Sequence, residues 1–257
     1  MKWKAASRIV FALTFIAIGL ASAASASFAP VWQPVPETTP VRQLLEWLTD
    51  LVAISCGAGL LFKRTQAGAA LILLIFLAVW TALFKVPFIL QAPLQEVSYQ
   101  SNGENLVLVA AAWVLFGEST QRRNFLVGAL GWRIAYLLYG LALIAFGLSH
   151  FFYLEFTAPL VPTWLPSPVL WAYATGAIYI ICGIAIATFL APKWGALAAA
   201  IQITLITLLV WGPMVATRDL SAEHWQETVV SWALTAAAFV LATGSPPTRA
   251  GRRVLSR

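Results

Sequence analysis

Charge is scarce in this chain. Charged residues make up 10% of its 257 positions, where a soluble domain carries about a quarter to keep its surface wet. Cysteine is scarcer still. The two present, Cys56 and Cys182, show no CxxC spacing, which excludes a disulfide scaffold, a zinc knuckle and a thioredoxin-type pair. Also missing are a glycine-rich phosphate loop, a nucleophile elbow and a His-x-x-Glu-type metal helix. No catalytic set is assembled in the sequence, so a non-enzymatic role is favoured, and no cofactor is evident.

Apolar residues fill the gap. They account for 60% of the chain, and the mean hydropathy is +0.82. They fall into eight runs, at roughly 8–27, 43–62, 66–88, 104–118, 131–153, 168–190, 194–214 and 228–244. About 20 helical residues cross the hydrocarbon of a bilayer, so the fourth and eighth runs need flanking turns to span. Lipid cannot hydrogen-bond the backbone and the runs lack barrel-like alternation, which leaves helix. The expectation is an all-α polytopic membrane protein with about eight transmembrane helices.

Thirteen of the sixteen basic residues fall on one side of this topology. They are Lys2, Lys4, Arg8, Lys63, Arg64, Arg122, Arg123, Arg133, Lys193, Arg249, Arg252, Arg253 and Arg257, against Arg42, Lys85 and Arg218 on the other. The positive-inside rule then makes both termini cytoplasmic. The net charge of +6 is thus a topology signal directed at the lipid bilayer and its anionic headgroups, and not at nucleic acid. Residues 245–257 form a basic tail. The first 29 residues also resemble a cleavable secretory signal, an alternative to a retained first helix.

The two halves match at a spacing near 126. Cys56-Gly57 answers Cys182-Gly183, Pro87 answers Pro213, and NLVLVAAAWVLFGES at 105–119 answers SWALTAAAFVLATGS at 231–245. With small gaps PVWQP at 30–34 answers PTWLP at 162–166, and Gly19-Leu20 answers Gly147-Leu148. This predicts units at 1–126 and 127–244. Each has four helices, an even number, so both point the same way about a pseudo-twofold along the membrane normal. Trp32, Pro162, Trp164 and Pro166 are expected to end helices and anchor them at the interface.

In the second half, GLSHFFYLEFTAPLVPTWLP, WAYATGAIYIICGIAI and WQETVVSWALTAAAFVLATGS resemble the DoxX family of bacterial membrane proteins, and the first half does so more weakly. The resemblance implies a four-helix bundle per unit. It also implies association with a sulfur- or quinone-linked redox system as a membrane subunit or scaffold, with quinone nearby and a redox enzyme as partner. Tyr179 departs from the expected pattern, since an ionisable residue is expected there. A proton-coupled or small-molecule carrier and a membrane-embedded oxidoreductase are the alternatives.

Intramembrane charge marks candidate sites. Glu46 and Asp50 share one helix face, and Lys85 lies at the depth of Glu46, which predicts a Glu46–Lys85 pair and leaves Asp50 without a partner. His150, Glu155, Tyr179 and His224 are further ligand or proton-site candidates. His150, His224 and Glu227 form the only candidate metal set; against it, both histidines sit among aromatic residues of the kind interfacial belts use. Cys56 and Cys182 lie at equivalent depth, where a redox couple competes with plain packing beside glycine.

Overall fold

The computed structural model describes residues 2–120, 126–217 and 221–245. Arg122, Arg123, Arg218 and the basic tail beyond Ser245 lie outside them. Helix is the only regular secondary structure among the described residues. Eight long helices follow in order: α1 (Lys2–Ser25), α2 (Arg42–Leu61), α3 (Gln66–Gln91), α4 (Glu96–Ser119), α5 (Ala129–Phe152), α6 (Pro168–Ala187), α7 (Pro192–Thr217) and α8 (Ala222–Thr243). Six of them, α1–α3 and α5–α7, are long and apolar enough to cross a membrane. The protein is thus an integral membrane protein by its apolar helices. α4 and α8 have the length, 24 and 22 residues, but open on polar turns.

Those polar turns extend the expected segments. The run expected at 104–118 forms a helix from Glu96, and the run at 228–244 one from Ala222. Three polar residues of α4 are packed inward: Ser98, Asn102 and Asn105 are all buried. Their side chains bond neighbouring carbonyls and hydroxyls, so polarity here serves bundle packing and does not break the helix.

Both α3 and α7 carry a turn of π-helix, at Thr81–Lys85 and Thr207–Trp211. The cause is Pro87 and Pro213. A proline inside a helix lacks its N–H and its ring collides with the carbonyl four residues back, and one widened turn relieves the clash. The widened bond runs from the Val86 N–H to Thr81 O in α3 and from the Gly212 N–H to Thr207 O in α7. Each turn begins on a threonine whose hydroxyl donates one turn back, to Leu77 O at 2.7 Å and to Ile203 O at 2.8 Å.

Consecutive helices pack antiparallel, and α8 closes on α1. The closest crossings are glycine-made. A Cβ on Gly57 would stand 2.7 Å from Ala12 O and 2.8 Å from Ile16 Cγ1; on Gly183 it would stand 2.6 Å from Gly140 O and 2.8 Å from Ile144 Cγ1. Small residues at such crossings let helices approach where the apolar environment supplies no other drive. α5 packs on α4 as α1 packs on α8, and α4 and α8 lie side by side. α2 and α6 flank the bundle against α1 with α3 and α5 with α7, respectively.

An aromatic cluster fills the space inside α1–α3. Trp32 meets Phe15, Phe76 and Trp80 at ring-centroid distances of 6.4, 5.6 and 5.6 Å, and Trp80 Nε1 donates to Trp32 O at 3.0 Å. Trp32 is therefore fully buried, which corrects its expected role as an interface anchor. The chain between α1 and α2 folds back over the bundle and carries the tryptophan into the core. Its counterpart Trp164 is 67% exposed.

Candidate functional site: a buried lysine between α3 and α4

Lys85 is the last residue of the π-turn in α3 and has no exposed surface. Its ammonium donates to Gln33 O and, at 2.9 Å, to Ser101 Oγ, and it stands 3.9 Å from Glu104 Oε2. An ammonium has three donors; two are bonded to the Gln33 carbonyl and the Ser101 hydroxyl, and the Glu104 carboxylate lies at ion-pair distance. The ammonium is thereby held between the segment that follows α1 and the first turns of α4. Asn102 Nδ2 donates to the Lys85 carbonyl at 2.5 Å, which secures the backbone that the widened turn leaves irregular.

Glu104 is the residue the sequence reading missed. Its side chain keeps 17% exposure, and Glu227 on α8 lies within electrostatic reach of it. A buried cation is thus capped by a partly open carboxylate with a second, exposed carboxylate beside it. The signal was available: Glu104 opens the fourth apolar run, one turn from Ser101 on the same helix face. It passed as a boundary residue because the helix was expected to begin there.

The expected Glu46–Lys85 pair does not form. Glu46 instead meets Arg42 one turn back, Nε to Oε1 at 3.5 Å, while Arg42 lies over the Phe28 ring at 5.0 Å and donates to Val35 O at 3.0 Å. The local i,i+4 partner wins because it costs no long-range ordering, and Lys85 turns toward α4. Asp50 is buried, and its Oδ1 has no hydrogen-bond partner among the described residues.

In the second half the corresponding positions carry other chemistry. Trp211 stands where Lys85 stands in α3, and its ring meets His224 at 6.2 Å. Thr207, the counterpart of Thr81, bonds Ser231 Oγ at 2.7 Å and Thr235 Oγ1 at 2.8 Å; Thr81 receives Asn105 Nδ2 at 3.4 Å. The polar seams of α3–α4 and α7–α8 are alike, and the buried ammonium is in the first alone.

His150 and His224 are not brought together with Glu227 into a metal-binding group among the described residues. His150 Nδ1 lies 2.8 Å from Phe146 O, and its ring meets Tyr179 at 5.7 Å. Tyr179 is buried between α5 and α6, near Cys182 and Phe146. Glu155 is exposed in a shallow depression with Phe152, Ala158 and Pro159, and Pro162 and Pro166 follow it in the loop before α6. Cys56 and Cys182 are free, buried thiols on the flanking helices α2 and α6.

A family model described as a domain of unknown function (DUF8561) matches residues 139–243, from the middle of α5 to the end of α8. No curated protein and no solved structure matches the chain. The match leaves the first half, with Lys85 and Glu104, outside it.

Proposed function

We propose that this chain is an eight-span protein of the bacterial inner membrane, DoxX-like in type, and a non-catalytic subunit or scaffold for a sulfur- or quinone-linked redox partner. It consists of two tandem four-helix units with both termini cytoplasmic. The offset of 126 supports the two units: α2 and α6, the starts of α3 and α7, and the two π-turns all recur at that spacing. So do the left-handed residues that precede α2 and α6, Val41 at φ 52° and Ser167 at φ 56°. α4 and α8 then flank the pseudo-twofold, and the charged pair sits beside it at the extracytoplasmic end.

The observation that carries the scaffold reading is the enclosure of Lys85, which has no exposed surface and is held by Gln33 O, Ser101 Oγ and the nearby Glu104 carboxylate. An ammonium so enclosed ties the segment after α1 to α4 and presents no open face to a substrate. The acidic mouth formed by Glu104 and Glu227 is the surface offered to a partner. Affinity purification in mild detergent, with identification of co-purifying proteins and quinone, tests the reading. Recovery of a redox enzyme, lost in Glu227→Gln, is the expected result. Substrate-dependent flux through the chain alone in proteoliposomes would instead establish a carrier, a reading the two π-turns beside the polar seams favour, since such turns are frequent at functional sites.

A further inference from the structure

The opposite end of the bundle holds a second assembly that the scaffold reading does not use. The start of α1, the α2–α3 turn, the end of α4, the start of α5 and the end of α8 enclose a cleft of about 610 Å³. Its lining brings Lys4, Arg8 and Lys63 together with a single carboxylate, Glu118, beside Gln66 and the indoles of Trp113 and Trp132. Glu118 is occupied: Lys4 Nζ meets its Oε1 at 2.5 Å, and the Ser245 N–H donates to the same oxygen at 3.2 Å. The other two cations are not neutralised by it.

Two donors in this lining are buried with no hydrogen-bond partner among the described residues, Arg8 Nε and Trp132 Nε1. A buried guanidinium edge without an acceptor is costly, and its fork fits the paired oxygens of a phosphate. The ring walls add apolar surface: Trp132 stacks on Tyr136 at 4.1 Å, and Trp113 Nε1 is fixed on Leu126 O at 2.7 Å. The lining thus combines excess positive charge, unpaired donors and aromatic faces at a helix-end level.

We infer that this cleft binds a phosphate ester, the headgroup of an anionic phospholipid, with Arg8 as its main ligand. The phosphate accepts from Arg8 and Lys63, the Trp132 indole donates to an ester or glycerol oxygen, and the acyl chains leave along the apolar helix surface. The cations of the site come from the first half and the Trp132 indole from the second. Tyr136, which stands at the position equivalent to Arg8, donates its hydroxyl to Leu241 O at 2.6 Å and has no charge to offer.

The test is native mass spectrometry and thermal unfolding of the full chain in mild detergent, titrated with phosphatidylglycerol, phosphatidylcholine or glycerol phosphate. Phosphatidylglycerol is expected to bind and raise Tm, and phosphatidylcholine, with its charge cancelled, to do neither. Arg8→Gln should weaken phosphatidylglycerol binding by about tenfold or more, the usual worth of a charge-assisted bond. Lys2→Gln, outside the cleft, should leave it unchanged. A response to glycerol phosphate that Arg8→Gln abolishes also supports the site and makes its ligand a soluble ester. Unchanged binding in Arg8→Gln, equal binding of phosphatidylcholine, or equal loss in Lys2→Gln overturns the inference. Should Arg8→Gln not fold, Lys63→Gln at its exposed position supports the same comparison, with reduced phosphatidylglycerol binding expected and unchanged binding overturning it.

Discussion

Lys85 shows how one residue can fix a neighbourhood in an apolar environment. Desolvating an ammonium costs several kcal/mol, and good geometry with a counter-charge offsets it. Its partners come from two places, the carbonyl of Gln33 and the Ser101–Glu104 face of α4. Removing the ammonium alone leaves Glu104 without its partner. Glu104→Gln alone leaves a buried cation held only by neutral acceptors. Lys85→Met is therefore expected to cost about 3–5 kcal/mol, and the pair Lys85→Met with Glu104→Gln distinctly less than the sum of the singles. Denaturant-induced unfolding of the purified variants measures both, and additive losses would show that the two residues do not interact. The neutral seam of the other half should be milder. Thr207→Val removes the hydroxyl that meets Ser231 and Thr235, at about 0.6 kcal/mol per interhelical bond.

At the scale of the helices, two devices recur at the same offset. The first is the glycine crossing. Gly57 and Gly183 meet a carbonyl and an isoleucine of the neighbouring helix at nearly the same distances, so the cost of a methyl should be nearly the same. Gly57→Ala and Gly183→Ala are each expected to lose about 1–3 kcal/mol. Gly68, with nothing within 4 Å of its would-be Cβ, should accept alanine without loss. A Tm series on the three variants checks this, and an unaffected Gly183→Ala would refute the close crossing. The second device is the π-turn before Pro87 and Pro213. The prolines and their 126-residue spacing are legible in sequence, but the widened turn is not, because several local geometries relieve a proline clash and packing selects among them. Widening the helix by one residue re-aims every side chain on one side of it. That is why Lys85 reaches α4 while Glu46, at similar depth, stays with Arg42.

Taken whole, the bundle places α4 and α8 against each other and sets α2 and α6 at its flanks. This arrangement puts Cys56 and Cys182 on separate flanking helices, each buried beside its glycine. Both thiols should stay unlabelled by a membrane-impermeant maleimide until the protein is unfolded, and mass spectrometry should find no bond between them; a crosslinked pair would overturn this placement. α2 is one of the six helices long and apolar enough to cross a membrane, so single cysteines placed at Thr39 and Thr65 are expected to react from opposite sides. Labelling of both from one side would exclude α2 as a span.

Composition alone determined that the chain is helical and apolar. With so few charges the outer surface must face lipid, and with lipid outside the backbone must satisfy itself. The order of the helices was equally legible, since hydropathy is a local property of the string. Which polar groups meet was decided by the tertiary structure. Depth along adjacent helices pointed to Glu46 as the partner of Lys85, but depth says nothing of rotation about the helix axis, and rotation is fixed by the π-turn and by contacts with α4. Trp32 carried the same ambiguity: its motif matches that of the exposed Trp164, and only the folding of its loop over α1 and α3 made it core. Hydropathy records how much a residue avoids water, and packing decides which neighbour it meets instead.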